Sequence, residues 1–290
     1  MSAESWLMDA PGPKARRRTR IGTGIGVVLL LGFVWYAYQA LEARGQLNPK
    51  IWSVWLMPEV QRIVLEGLKA TLSAAGMAVL LSVILGGVLT AMRMSKYRAL
   101  QWIAIGWTNF FRGVPTLVCI FAIYLSFPSL GIEISVYWAL VLGELLYAGA
   151  LFAEIFRAGI DAVPKGQKEA ATALGISSAQ IFIQVVMPQA FRWMLPLLIN
   201  QVVMTLKETS LGFVIGYGEL LREGRRVVEY LGAGYATPMY VMVGLTYITI
   251  NVLLSVIARY VERRTRSRGT TTKVMKGHKT PAEISVPVDV

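Results

Sequence analysis

The chain has 290 residues, 55% of them hydrophobic and only 16% charged, with a mean hydropathy of +0.53, a balance that belongs to membrane proteins and excludes an ordinary soluble domain. Lys and Arg outnumber Asp and Glu by 29 to 17, for a formal charge of +12, and the charge bias of membrane topology accounts for that excess without nucleic acid. One cysteine, Cys119, excludes an intrachain disulfide, and one histidine, His278 in the C-terminal tail, leaves almost no material for metal sites or histidine-based catalysis.

A membrane-spanning helix needs ~20 apolar residues. After a basic tail, residues 1–20, the first charge-free run extends from Ile21 to Leu41. It is longer than the ~7–15 residues of a secretory h-region, and Tyr36 to Ala40 offers no good cleavage site, so it reads as a first span followed by an external loop to residue 63. Further charge-free runs are Ala70 to Met92, Gly113 to Ile132 and Tyr230 to Ala258. Two more apolar runs are interrupted: Ile134 to Ile155 by Glu144, and Trp193 to Gly218 by Lys207 and Glu208. The expected fold is therefore all-α and polytopic, with six spans. With both termini cytoplasmic, the inside segments 1–20, 93–112, 157–192 and 259–290 hold 21 of the 29 Lys and Arg. The basic runs Lys14 to Arg20 and Arg263 to Arg268 read as anchors beside anionic lipid, and 261–290 as a disordered basic tail.

The polar stretch 161–188 is the most informative loop. Pro164 suits the first turn of a helix and Gly175 a left-handed stop, which predicts a short helix over Pro164 to Leu174. Ser177 and Gln180 form a capping box that starts a second helix carrying Ile181, Phe182, Val185 and Val186 on one side, and Pro188 is expected to end it. Ala170, Ala171, Ala173 and Leu174 give the first helix a compact surface, with Glu169 as a polar anchor beside it. Such a surface fits a docking knob for a soluble partner, or an ordinary loop folded over the helix ends.

These residues carry a resemblance. Glu169-Ala170-Ala171, then Gly175, then Val185, Met187 and Pro188 are similar to the signature loop of importer-type ABC transporter permeases, Glu-Ala-Ala, Gly, Ile-x-Leu-Pro, with its spacing intact and two apolar replacements. Phe111 to Pro115, Ala153 to Ile160 and Leu206 to Leu211 resemble the polar amino acid branch of that family, and the likeness covers roughly 64–260. Asp9 to Arg18 resembles the start of glutamate uptake permeases of high-GC Gram-positive bacteria. The resemblance implies a permease core that pairs with a second permease chain, the same or homologous. It also implies that Glu169, Ala170, Ala171, Leu174 and Gly175 dock an ABC ATPase dimer, and that an extracytoplasmic binding protein delivers the substrate. No catalytic residue, metal or cofactor is expected on this chain. It lacks Gly-x-x-x-x-Gly-Lys-Ser/Thr, so ATP hydrolysis is expected on a separate partner.

Ionisable groups within spans are candidates for function. Lys207 and Glu208 point about 100° apart on a helix, so one or both should line the translocation path or pair with a neighbour. Glu144, where the family more usually has a neutral residue, is assigned a lumen-facing or helix-pairing role. Glu154 and Arg157 are spaced for a local ion pair. Glu219, Arg222, Glu223, Arg225, Arg226 and Glu229 form a mixed-charge helical stretch, read either as a solvated external helix or as the surface that meets the binding protein through Arg222, Arg225 and Arg226. Gly216 to Glu219 superficially resembles a membrane aspartyl protease signature but has Glu where Asp is required. A secondary transporter or channel is the rival function; it would need no docking knob. The resemblance implies a polar amino acid as substrate, with glutamate first; the basic side chains Lys207, Arg222, Arg225 and Arg226 agree with an anionic group, although the acidic residues interleaved among them blur the sign.

Overall fold

The computed structural model describes residues 12–267, with side chains through residue 260. His278 and most of the C-terminal basic tail lie outside the described residues. Among those described, every regular element is helical, as the apolar runs require: in hydrocarbon a helix satisfies its own backbone polar groups.

Helix α1 (Pro13–Ala43) opens with proline at its first position and has no buried residue. A short α2 (Pro49–Trp52), capped by the Asn48 side chain, and a 3-10 turn (Ser53–Leu56) lead into α3 (Pro58–Arg93). At 36 residues α3 is ~54 Å long and outruns the ~30 Å apolar layer. The expected span 70–92 is its second part, and its first turns are polar, with Glu59, Arg62 and Glu66.

The third span departs from expectation. Residues 93–112 were expected as a connecting segment, but Arg98–Gly113 form helix α4, bent by 104° from α5 (Thr116–Ser129). The cause is local: Val114 is extended (φ −96°, ψ 127°) because Pro115 follows it. With 14 residues, α5 reaches only ~21 Å, so it makes a span only together with α4. Among the described residues, five helical runs are long and apolar enough to cross a membrane, or six if this bent pair counts as one.

Helix α6 (Val136–Asp161) is the central post of its region and packs against α4 and α5 and against α9, described next. Gly143 makes the α5 contact possible, since a Cβ there would stand 2.5 Å from the Ile120 Cα. After α7 (Lys165–Ala173) and α8 (Ser178–Gln180), the chain enters a π turn (Ile181–Val186) and runs on as α9 (Met187–Glu208). Pro188 therefore does not end the second loop helix. Met187 stays helical (φ −59°, ψ −44°), and the π turn relieves the clash by widening the backbone where proline lacks its N–H. A 3-10 turn (Thr209–Ile215) closes at Gly216, φ +83°. Helix α10 (Leu220–Leu231), a 3-10 turn (Ala233–Tyr235) and α11 (Ala236–Ser267) follow. The last span thus starts later than Tyr230, because Gly232 (φ +105°) separates α10 from α11. The helical backbone continues past residue 260, where a tail was expected.

Two compact units are distinguished, 12–69 with 218–246, and 70–217 with 247–267. In the first, the Trp55 indole N–H donates to the Pro238 carbonyl at 2.9 Å. In the second, Ala74, Ala78, Ile120, Ala139, Leu140, Val141 and Ile215 form one apolar core. A separate cluster, Ile160, Val163, Ala171, Ile181, Val186, Ala190 and Met194, joins the end of α6 to α7, the π turn and α9.

Candidate functional site

The loop folds as its residues dictate. Helix α7 ends on Gly175, φ +74°, whose N–H donates to the Thr172 carbonyl while the Ile176 N–H donates to the Ala171 carbonyl, a paired closure that needs a left-handed residue. Ser177 and Gln180 form the expected capping box. The structure divides the proposed docking residues. Glu169, Ala170, Leu174 and Gly175 are exposed, with Leu174 at 80%, whereas Ala171 is buried in the cluster with Ile181, Val186 and Met194. One face of α7 is thus open, and the other is packed onto the base of α9.

Beside this loop the local pair Glu154–Arg157 is present and is part of something larger. Glu154 on α6 also meets Arg93 at the end of α3 (3.0 Å) and Arg112 at the end of α4 (3.6 Å), while Arg157 reaches Asp161 at 2.7 Å. The cross-helix partners were missed in the sequence. The available signal was that both arginines sit at helix ends beside the same polar segment.

Deeper in the same unit, Lys207 is exposed and joins no ion pair among the described residues. Glu208 is half-buried and stands within hydrogen-bonding reach of Thr116. Glu144 is fully buried, neither of its carboxylate oxygens has a partner, and Glu208 is the charge that acts on it. Glu144 and Glu208 thus lie on α6 and α9, two helices that pack together, whereas Lys207 is exposed.

In the other unit the mixed-charge stretch is α10. Its charges pair along one helix, Arg225 with Glu229 at 2.7 Å and Arg226 with Glu223 at 2.9 Å. Glu219 is fully buried as the N-cap, accepting from the N–H groups of Leu221 (2.8 Å) and Arg222 (2.7 Å), so its role is to start the helix. A cleft of about 670 Å³ opens beside α10, lined by Glu59, Glu66, Glu223, Arg226 and Tyr230 among others.

Helices long and apolar enough to cross a membrane several times, among the described residues, define a multi-pass membrane protein. Residues 78–267 match the family described as "Binding-protein-dependent transport system inner membrane component". The chain belongs to that family, among the amino acid ABC importer permeases, as a non-catalytic inner membrane subunit in importers whose ATPase is a separate subunit. It is 36% identical to the glutamate transport system permease protein GluD of Corynebacterium glutamicum over 78% of this chain and 84% of that one. Identity is also 36% to the arginine transport system permease protein ArtQ of Bacillus subtilis, over 70% of this chain and 93% of that one. Among solved structures, an amino acid ABC transporter crystallised with histidines is 31% identical, with a TM-score of 0.68 over 72% of this chain and 97% of that chain. The MetNI methionine ABC transporter, in an inward-facing form, shares the fold at 19% identity and a TM-score of 0.60.

Proposed function

We propose that this chain forms the translocation path of an ATP-driven importer of a polar amino acid, together with a second permease chain, the same or homologous. Both termini are cytoplasmic, a binding protein presents substrate on the opposite side, and an ATPase dimer docks on the loop through Glu169, Ala170, Leu174 and Gly175. ATP binding can favour one membrane conformation only through a contact that differs between states. The observation that carries this reading is the two-sided α7: its open face is available to a partner, while Ala171 on the other face packs with Ile181, Val186 and Met194 toward α9. Movement at the open face is thereby passed to a membrane helix. Lys207, Glu208 and Glu144 are assigned to the path. The charged rim of α10, with Arg222, Arg225 and Arg226, is assigned to the binding protein.

Glutamate as substrate has the support of the 36% identity to a glutamate permease, but an arginine permease is equally similar. The basic side chains that favoured an anion are weakened as an argument, because Arg225 and Arg226 are already ion-paired.

Coupling is tested by Gly175→Val. A β-branched residue at φ +74° is strained, and the open face of α7 should be misplaced while the apolar helices stay inserted. Uptake and binding-protein-stimulated ATP hydrolysis should fall together by about tenfold or more, corresponding to ~1.4 kcal/mol of lost coupling. Normal values of both in the assembled complex would refute the docking assignment. Uptake that never required ATP hydrolysis would favour a secondary transporter.

A further inference from the structure

Helices α9 and α11 form a pocket of about 200 Å³ between them, lined by Pro196, Ile199 and Asn200 from α9 and by Ser255 and Arg259 from α11. Pro196 and Asn200 are i and i+4 on one helix, and Ser255 and Arg259 are i and i+4 on the other, so each set shares a face. Asn200 and Arg259 are exposed and Ser255 is half-buried. Arg259 joins no ion pair among the described residues. Arg192, one turn before Pro196 on the same face of α9, is also exposed and also unpaired among them.

The depth of the pocket follows from α11. Its charge-free stretch Ala236 to Ala258 is ~35 Å long, enough to cross the ~30 Å apolar layer, so Arg259 stands at the headgroup end of that span. Trp193 and Tyr260 are exposed within one turn of the lining residues, and such aromatic side chains favour the membrane interface. Leu197, Val252 and Val256, also exposed, make the neighbouring surface one that hydrocarbon solvates.

A guanidinium, an amide and a hydroxyl on one small pocket offer several N–H and O–H donors and one full positive charge, which suits an anion with several acceptor oxygens. Arginine matches the geometry of phosphate in particular. A free amino acid is a poorer match, because no Asp or Glu lines the pocket to meet its ammonium. The bilayer supplies phosphate at this depth, and basic pockets between spanning helices lodge anionic headgroups.

We propose that this pocket binds the phosphate headgroup of one anionic phospholipid, which bridges α9 to α11. Helix α9 continues from the π turn and carries Met194 of the cluster that holds α7, so the lipid fastens the last span to the helix on which the loop is packed. The site depends on the chain spanning a membrane and not on what it transports.

The test is native mass spectrometry of the purified, delipidated full-length chain in detergent, titrated with phosphatidylglycerol or phosphatidylcholine, with and without inorganic phosphate. The thermal unfolding midpoint of the same samples is the second readout. One phosphatidylglycerol should bind about tenfold or more tightly than phosphatidylcholine and raise the midpoint. Arg259→Gln should weaken that lipid by about tenfold or more. Ser255→Leu, which keeps every charge but fills the pocket, should do the same, whereas an arginine that only snorkels to the headgroups would be indifferent to it. Arg98→Gln removes the same charge from an exposed arginine at the start of α4 that does not line the pocket, and should leave the affinity within about twofold. Should Arg259→Gln fail to fold, Ser255→Leu decides the matter alone. Equal binding of phosphatidylcholine, unchanged affinity in Ser255→Leu, or an equal loss in Arg98→Gln would each overturn the site. Displacement of the lipid by an equal concentration of inorganic phosphate would overturn it too, by making the pocket a site for the free anion.

Discussion

Lys207 and Glu208 are adjacent in the chain and have different surroundings, because one helical step turns the side chain by about 100°. Glu208 stands within hydrogen-bonding reach of Thr116, whereas Lys207 stays exposed with no acid partner among the described residues. Lys207→Met keeps much of the volume and the helix propensity while removing the charge. With no ion pair to break inside the chain, the variant should accumulate and assemble at the parental level. Uptake should nonetheless fall severalfold if the ammonium lines the path, and Lys207→Arg should retain part of it. Transport assays normalised to membrane protein level provide the check. Full uptake by Lys207→Met would leave the lysine as an interfacial anchor whose charge reaches the headgroups.

At the scale of elements, Glu154 ties together the ends of α3, α4 and α6, and it is the acid on which Arg93, Arg112 and Arg157 converge. Glu154→Gln would leave three like charges facing one another, so a loss of about 2 kcal/mol is expected, seen as a lower unfolding midpoint of the purified chain. Arg112→Ala should cost less than ~1 kcal/mol, because Arg112 is 41% exposed and 3.6 Å away. No loss of stability in Glu154→Gln would show that the cluster does not hold these helix ends together. The i, i+3 pair of Glu154 and Arg157 was legible because helix spacing alone sets it. The cross-helix partners depend on how α3 and α4 pack, which no local spacing encodes. The Gly175 stop and the Ser177–Gln180 box were readable for the same local reason. The π turn before Pro188 was not, since the rule that proline ends a helix assumes an unbroken α ladder, and the chain instead widens by one residue. Glu144 was visible as a charge in a span, but its missing partner is a fact about α5, α6 and α9 together.

For the whole molecule, the number of crossings fixes which residues share a face. If the bent pair α4–α5 crosses the membrane once, six crossings separate the termini, and Asn48 and Leu174 lie on opposite faces. If the 104° bend makes the pair re-entrant, only five crossings remain, and Asn48 and Leu174 share a face. Charge argues for six, because the segment 157–192 holds Arg157, Lys165, Lys168 and Arg192, and basic residues favour the cytoplasmic side. The same arrangement is what the docking assignment needs, since α7 must face ATP. On a Cys119→Ala background, single cysteines at the exposed positions 48, 174 and 229 distinguish the two cases. A membrane-impermeant thiol reagent applied to intact cells should label Asn48→Cys and Glu229→Cys, and should label Leu174→Cys only after permeabilisation. Labelling of Leu174→Cys from outside, alongside Asn48→Cys, would make α4–α5 a re-entrant pair. It would remove α7 from the ATPase and with it the coupling assigned to Gly175.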